Sequence, residues 1–410
     1  MPPVQPISSE SSNPKVQSAS GARSVVGALN IPSSQAVSLN PNIRHETLII
    51  PASSIPAFGS YFTIDIRERN MLNHNITLQF VTGPVVGTNL VGSFNPAWFW
   101  FTRVEVVQGS DVIDTYFGNQ QFVLNQMLEY DEDRLSINNA AGNYASTAQR
   151  TSLSSQTSNN TLYCNLRTYF DQAKVASLTD CHNVQLRVYM NTLPNIFNVV
   201  SGTLISCPLL SCTAFCRVTK LDMNSANMRL EDMRVRKNHS VIHDTRYGTY
   251  TVPAGITTTT IVLSAIVGNV AALFFTVRPS VVGASAFNYS QLSSFSLLDS
   301  ASTNIVGGSA LPASFAANIL GKDWMKSSYN TETSFGTNNQ NANVYMWSFS
   351  ADPVSALTNG QCLSSRKMIG QEQLILNFPS AILTNMQVDV YAMTESMLEM
   401  TLTGVKKMSC

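Results

Sequence analysis

The chain has 410 residues, 44% of them hydrophobic, enough to build a sizeable core in one large domain or two. Only 12% are charged, about half the usual fraction of roughly 25%, and a surface so poor in charge resists association weakly. Lys and Arg total 25, as do Asp and Glu, so no basic excess marks a phosphate-binding face and direct nucleic-acid packaging is not expected.

Residues 1–42 contain no Phe, Tyr or Trp and only three charges. Rich in Ser, Pro, Gln and Asn, this segment cannot bury enough apolar surface to fold alone. Two readings stand for it: a disordered tail, or an arm that orders against neighbouring subunits or an inner layer. It holds no apolar stretch of the kind a secretion signal needs. The seven cysteines form no paired framework. An odd, scattered count without a signal segment implies reduced thiols in an intracellular setting. Asn-x-Ser/Thr matches at Asn75, Asn159, Asn238 and Asn288 are then coincidences of an Asn-, Ser- and Thr-rich chain.

From Ile43 the pattern is one of strands. Phe62, Ile64 and Ile66 alternate with polar residues, and so do Ile76, Leu78 and Phe80. Period two with one apolar face predicts half-buried antiparallel strands. The stretch from Trp98 to Leu128 organises this half. Trp98, Phe99 and Trp100 lead into a strand with Val104 and Val106 on one face and Arg103 and Glu105 on the other. Gly109, Ser110 and Asp111 supply a hairpin turn. Val112 and Ile113 begin the return. After Gly118 the spacing turns helical, with Phe122, Val123 and Met127 able to share a face. A helix in a β-rich chain is expected to close the open end of a sandwich or barrel. Residues 129–160 then read as a long polar connection without periodicity. Val184, Leu186, Val188 and Met190 alternate next, and Leu209 to Asp222 is another strand. Met223, Ala226, Leu230 and Met233 sit at helical spacing in a charged segment, predicting a linker helix that divides the chain nearly in half.

The second half opens without a charge between Arg246 and Arg278. Ile261 to Val277 is the one stretch apolar enough to raise the question of a membrane span. It is marginal in length and carries Ser264, Gly268 and Asn269. Two buried strands turning at Gly268-Asn269 account for it better. Phe295 to Val306 reads as a strand region and Pro312 to Leu320 as a short helix, with Phe315 and Ile319 sharing a face and Gly321 as cap. Tyr345, Trp347 and Phe349 alternate with Met346 and Ser348. Leu374, Leu376 and Phe378 follow, then Val388, Val390 and Ala392 alternating with Asp389 and Tyr391, then Leu398, Met400 and Leu402. Such strands, separated by Pro, Gly and Asn, predict a sandwich or barrel.

Catalytic motifs are absent: no phosphate loop, dinucleotide fingerprint, His-Glu-x-x-His or Gly-x-Ser-x-Gly occurs. Cys207, Cys212 and Cys216 lie close enough to suggest metal ligands with His182, His239 or His243, but C-x-x-C knuckles are missing. They read better as small buried hydrophobes, with Cys212 and Cys216 facing one side and Cys207 the other. His239 and His243 sit beside a basic run and read as a solvated linker face. Glu129, Asp131, Glu132 and Asp133 could hold a cation but read better as a solvated loop. No catalytic, cofactor or metal residue is therefore assigned, and the chain is not expected to be an enzyme.

The stretch with Gly109, Val112, Ile113, Asp114 and Gly118 resembles a segment of the double jelly-roll major capsid proteins of large eukaryotic DNA viruses, virophages and polinton-like viruses. The run NLRTYFDQAKVASLTDCHN is similar to that family's entry into the strand at Val184. The resemblance continues near Ser348 and Phe349, through Pro353, Gly360-x-Cys362 and Ser365-Arg366 to Leu374 and Leu376. It ends with Val390-Tyr391-Ala392 and Leu398. It implies an all-β chain of two consecutive eight-stranded jelly rolls with short helices between strands. The expected layout is an arm at 1–42, a first roll at 43–223, a linker at 224–241 and a second roll at 242–410, with modest outer loops. It further implies a homotrimeric, pseudo-hexagonal capsomer tiling an icosahedral virion shell. The partners it implies are neighbouring capsomers, penton and minor capsid proteins, and an inner membrane or layer met by the arm. Two other classes remain open on the sequence: a carbohydrate-binding β-sandwich, which would expose aromatics beside Asn and Asp, and a cupin-like enzyme, which needs a His cluster that five scattered His residues do not offer.

Overall fold

The computed structural model describes residues 44–66, 71–109, 111–128, 131–142, 159–170, 184–225, 227–228, 231, 238–280, 289–306, 309–316, 343–351, 353, 364–401 and 404–409. The 1–42 arm lies outside these, as do Ser110, His182, Ile319 and the Gly360-x-Cys362 motif.

Alternating apolar residues form strands where sequence pattern places them. The first half carries β1 (Arg44–Pro51), β2 (Tyr61–Ile66), β3 (Met71–Thr82), β4 (Val86–Phe94), a 3-10 turn (Ala97–Trp100), β5 (Phe101–Gln108) and β6 (Asp111–Phe117). Helices α1 (Gly118–Leu128) and α2 (Asp131–Ala140) follow, then β7 (Asn160–Leu166), β8 (Val184–Met190), the single turn α3 (Leu193–Ile196), β9 (Phe197–Ser206) and β10 (Leu209–Lys220). The second half carries β11 (Asn238–Val252), β12 (Thr258–Val262), β13 (Val267–Pro279), β14 (Ser294–Leu298), β15 (Leu311–Pro312), the short turn α4 (Ala313–Phe315) and β16 (Val344–Ser348). It closes with β17 (Arg366–Ile369), β18 (Gln373–Asn377), β19 (Met386–Thr401) and β20 (Gly404–Ser409).

The sheets repeat one order. In the first half β1-β10-β3-β7 faces β2-β8-β5-β6, with β4-β9 as a separate ribbon. In the second half β11-β19-β13-β16, extended by β17 and β20, faces β12-β18-β14-β15. If β4, β9, β17 and β20 are set aside, each half has eight strands and pairs its first with its last and its second with its seventh. That is the double Greek-key order of a jelly roll, made twice. Among the described residues no sheet mixes strands of the two halves.

The first roll's core lies between its two sheets: Leu78, Phe80, Ala214 and Cys216 from one side meet Ile64, Val104, Leu186 and Val188 from the other. Phe122 on α1 packs against Trp98 and Phe99 at ring separations of 5.7 and 5.0 Å, so the helix closes that end of the sandwich. The buried Trp98 and Trp100 indoles donate to the Asn165 and Asn95 carbonyls at 3.1 and 2.8 Å, which satisfies their N–H groups. The second roll has its own core, including Leu273, Phe275, Phe295, Tyr345, Leu376 and Val390.

Several elements differ from the sequence pattern. The segment 131–140 is helical, not a plain connection. β11 starts at Asn238, inside the 224–241 segment expected as linker, and only 223–225, 227–228 and 231 are helical there among the described residues. β12 and β13 are not a hairpin: they belong to opposite sheets, and the chain reverses near Ser264. Gly268 and Asn269 instead lie within β13, paired with β17. The strand expected over Phe295 to Val306 ends at Leu298. The helix begun at Pro312 is confined to Ala313–Phe315 among the described residues, and Phe315 is exposed. No helix among the described residues is long and apolar enough to cross a membrane.

Candidate functional site

The feature with the densest buried chemistry is the seam between the two rolls. It is made by the outer face of the sheet β11-β19-β13-β16. β13 runs VAALFFTV, with Thr276 its one polar residue and no charge, because both its faces are covered. Leu273, Phe275 and Val277 point into the second roll's core, while Ala272 and Phe274 join the first roll's cluster. Met346 on β16 and Tyr391, Met393 and Leu398 on β19 join it too. Tyr247 on β11 bridges the rolls, 4.5 Å from the Phe117 ring and stacked on Tyr391 at 5.2 Å.

Two polar networks are set into this apolar surface. The first centres on Asp389, which is fully buried. Its carboxylate accepts from Arg278 Nε at 2.8 Å, Tyr247 Oη at 2.7 Å, Gln387 Nε2 at 2.9 Å and, from the first turn of α1, Asn119 Nδ2 at 3.4 Å. Burial pulls the Arg278 guanidinium down, but the charge and hydrogen bond of Asp389 more than offset this and hold it protonated. Burial and the Asp389 charge likewise push the Tyr247 phenol up, so it stays a donor. Gln120 on α1 adds a further bond to Thr245.

The second network joins three strands. Lys407 on β20 reaches Asp114 Oδ1 on β6 at 3.2 Å and Asp244 Oδ2 on β11 at 2.8 Å. Arg246 stands 3.7 Å from Asp244. Tyr116, two residues along β6, accepts from the Tyr169 amide at 2.8 Å. Two buried networks so constructed tie roll to roll by groups that cost several kcal/mol each if left unpaired (roughly 3–5 kcal/mol).

The residues weighed from sequence fall elsewhere. Cys207, Cys212 and Cys216 are buried free thiols in the first core with Cys164, all three on the core side. Burial pushes the Cys207 thiol up to about 11 and that of Cys216 to about 12. His239 and His243 stand on β11, opposite Glu399 and Glu395 of β19, and not on a linker face. Asp131, Glu132 and Asp133 belong to α2 rather than to a loop, and Glu129 lies outside the described residues. Among the described residues no three His, Cys, Asp or Glu side chains converge on a metal-sized space.

The seam residues were not found by pattern. Asp389 and Tyr391 read as the solvent face of an alternating strand, and Asp114 read as part of a turn-and-return motif. The available signal was chemical: an aromatic, Tyr391, on a face that alternation assigned to water.

Two other surfaces are apolar and open. The β4-β9 ribbon exposes Val86, Val91, Val199, Val200 and Ile205. The outer face of β1-β10-β3-β7 exposes Ile49 and Tyr163, the latter 6.2 Å from the Phe215 ring.

Comparison with known family models gives no match, and no curated protein matches by sequence. Solved structures do match. PBCV-1 VP54, in a crystal structure fitted into a reconstruction of the virophage Sputnik, aligns with TM-score 0.67 and 14% identity over 89% of this chain and 96% of that one. The Faustovirus major capsid protein aligns with TM-score 0.65 and 9% identity over 88% and 91%. This is the double jelly-roll fold of viral capsid proteins. The Sputnik virophage structure itself aligns with TM-score 0.56 and 9% identity over 89% and 88%. In this double jelly roll the seam is the joint between the two rolls, and the ribbon is an insertion common to the β3–β5 and β8–β10 connections of the first roll.

Proposed function

We propose that the chain is a major capsid protein of a DNA virus, a virion component whose work is burial and not catalysis. Residues 43–223 and 242–410 would act as its two rolls, and three chains would form a ring of six rolls that tiles an icosahedral shell. The observation that supports this best is the seam. One roll already covers the outer β11-β19-β13-β16 face of the other in a head-to-tail manner, and the equivalent β1-β10-β3-β7 face of the first roll is open. A heterologous contact of that kind closes into a ring when the rotation allows it. Edges and faces left open in one subunit are covered by the next. Neighbouring capsomers, penton and minor capsid proteins are the proposed partners, and the 1–42 arm is proposed to dock beneath them or on an inner layer.

The test is solution mass combined with negative-stain imaging of the purified full chain. The expected particle has three times the 44.7 kDa chain mass and a hexagonal outline. A species of 44.7 kDa alone at micromolar concentration would sink the reading.

A further inference from the structure

Lys407 is a primary amine held between two buried carboxylates. From β20 its Nζ reaches Asp114 Oδ1 on β6 at 3.2 Å and Asp244 Oδ2 on β11 at 2.8 Å. The Asp114 and Asp244 side chains are 2% and 4% exposed, and that of Lys407 is 21% exposed. The two acids differ in their surroundings. Asp244 also has Arg246 at 3.7 Å, so it stands between two cations. Asp114 Oδ1 accepts the Thr115 amide at 2.9 Å, and Val106 stands opposite it on β5 and adds no charge. Three strands thus bring together an amine, a carboxyl group beside a backbone N–H, and a second carboxylate. Those are the parts needed to condense a lysine with an aspartate.

We propose that Lys407 and Asp114 form an intramolecular amide cross-link, with Asp244 as the proton acceptor, which joins β20 covalently to β6 of the first roll. The proposal concerns one chain and stands apart from the capsid reading.

The step balances. Lys407 Nζ is within hydrogen-bond reach of both acids, so its ammonium can give one proton to each. The first makes Asp114 a neutral acid. The Nζ lone pair then bonds to Asp114 Cγ, the Thr115 amide steadies the oxygen that gains charge, and the second proton passes to Asp244. Asp244 returns that proton to the departing hydroxyl, the C–O bond breaks and one water leaves. An ammonium and a carboxylate have become an amide and a water. Nothing is oxidised or reduced, and Asp244 ends as the carboxylate it was.

Burial favours the product. It raises the Asp114 carboxyl from 3.8 to about 7 against the opposing charge of Lys407, which brings the acid form within reach. At Lys407 burial also disfavours charge, but the two carboxylates outweigh it, so the ammonium is the resting form and proton transfer starts the reaction. A neutral amide replaces two charges that are costly to keep out of water. Contact between the reacting groups substitutes for concentration. A site this enclosed lets water leave and slows its return.

The test is the intact mass of the purified full chain, read after denaturation, together with a peptide map. The parent should weigh one water less than its sequence, and its digest should hold a branched peptide joining the Lys407 side chain to the segment with Asp114. A parent with no water missing, or a missing water that maps to a linear peptide or to Asp244, overturns the proposal. Lys407→Arg keeps a cation between the acids but removes the amine, so it should carry its full sequence mass; the same deficit in this variant overturns the assignment. Asp244→Asn removes the proton acceptor and should lower the cross-linked fraction at matched times by roughly tenfold or more. A fraction equal to the parent's overturns the role of Asp244. If either variant fails to fold, the parental mass and map decide the matter.

Discussion

Gly118 shows how one residue fixes the start of the seam. A Cβ there would lie 2.1 Å from the Trp98 carbonyl oxygen and 2.5 Å from that of Phe101. Both atoms are backbone, so no rotamer change relieves the clash. Gly118 lets β6 turn into α1 against the aromatic end of the core, which places Asn119 and Gln120 on the second roll. Gly118→Ala should therefore destabilise by about 1–3 kcal/mol, the usual cost of overpacking. Urea unfolding should show a lower midpoint with unchanged slope. Gly109, four residues before Ile113, has a different reason: its φ of 63° belongs to the tight turn between β5 and β6, where left-handed backbone favours glycine. Both glycines of the Val112-Ile113-Asp114 motif were legible as positions, but the roles of Gly118 and Asp114 depend on partners distant in sequence.

At the scale of elements, legibility tracked burial. β2, β3, β5, β8 and β10 each bury one face, so alternation marked them. β13 and β19 bury two faces, so β13 reads as a continuous apolar run, long enough to resemble a membrane span, and not as an alternating strand. The β4-β9 ribbon left no signature, because most of both strands is exposed and its register is broken by bulges. α2 was missed because its residues, DEDRLSINNA, carry no apolar stripe. The ribbon also makes a clean prediction. Val200 and Ile205 contribute little to the subunit's own core, so Val200→Lys with Ile205→Lys should change unfolding free energy by no more than about 0.5 kcal/mol per site. If the ribbon meets a neighbouring copy, sedimentation should show dissociation of the oligomer at concentrations where the parent stays assembled. Unchanged sedimentation would remove the ribbon from the proposed contacts.

For the whole molecule, the repeated strand order lets the covered face predict the use of the open one. Across the second roll Tyr247, Tyr391, Phe274 and Met346 form one register row over β11, β19, β13 and β16. The first roll lies on that row. The matching row of the first roll is Ile49, Phe215, Thr77 and Asn165 over β1, β10, β3 and β7. Its first member, Ile49, is 65% exposed. In the proposed head-to-tail ring this row would receive the β14-β15 side of the next copy, as the seam receives β6 and α1. Ile49→Lys places an ammonium in that joint while leaving the subunit's core untouched. Calorimetry of the dissociated chain should match the parent's, since exposed substitutions usually fall within about 0.5 kcal/mol. Subunit association should weaken by at least about tenfold, because a charge desolvated without a partner opposes contact. Light scattering over a dilution series separates the two outcomes: loss of trimer with an intact fold supports the ring, and a trimer of parental affinity means that copies meet through some other face.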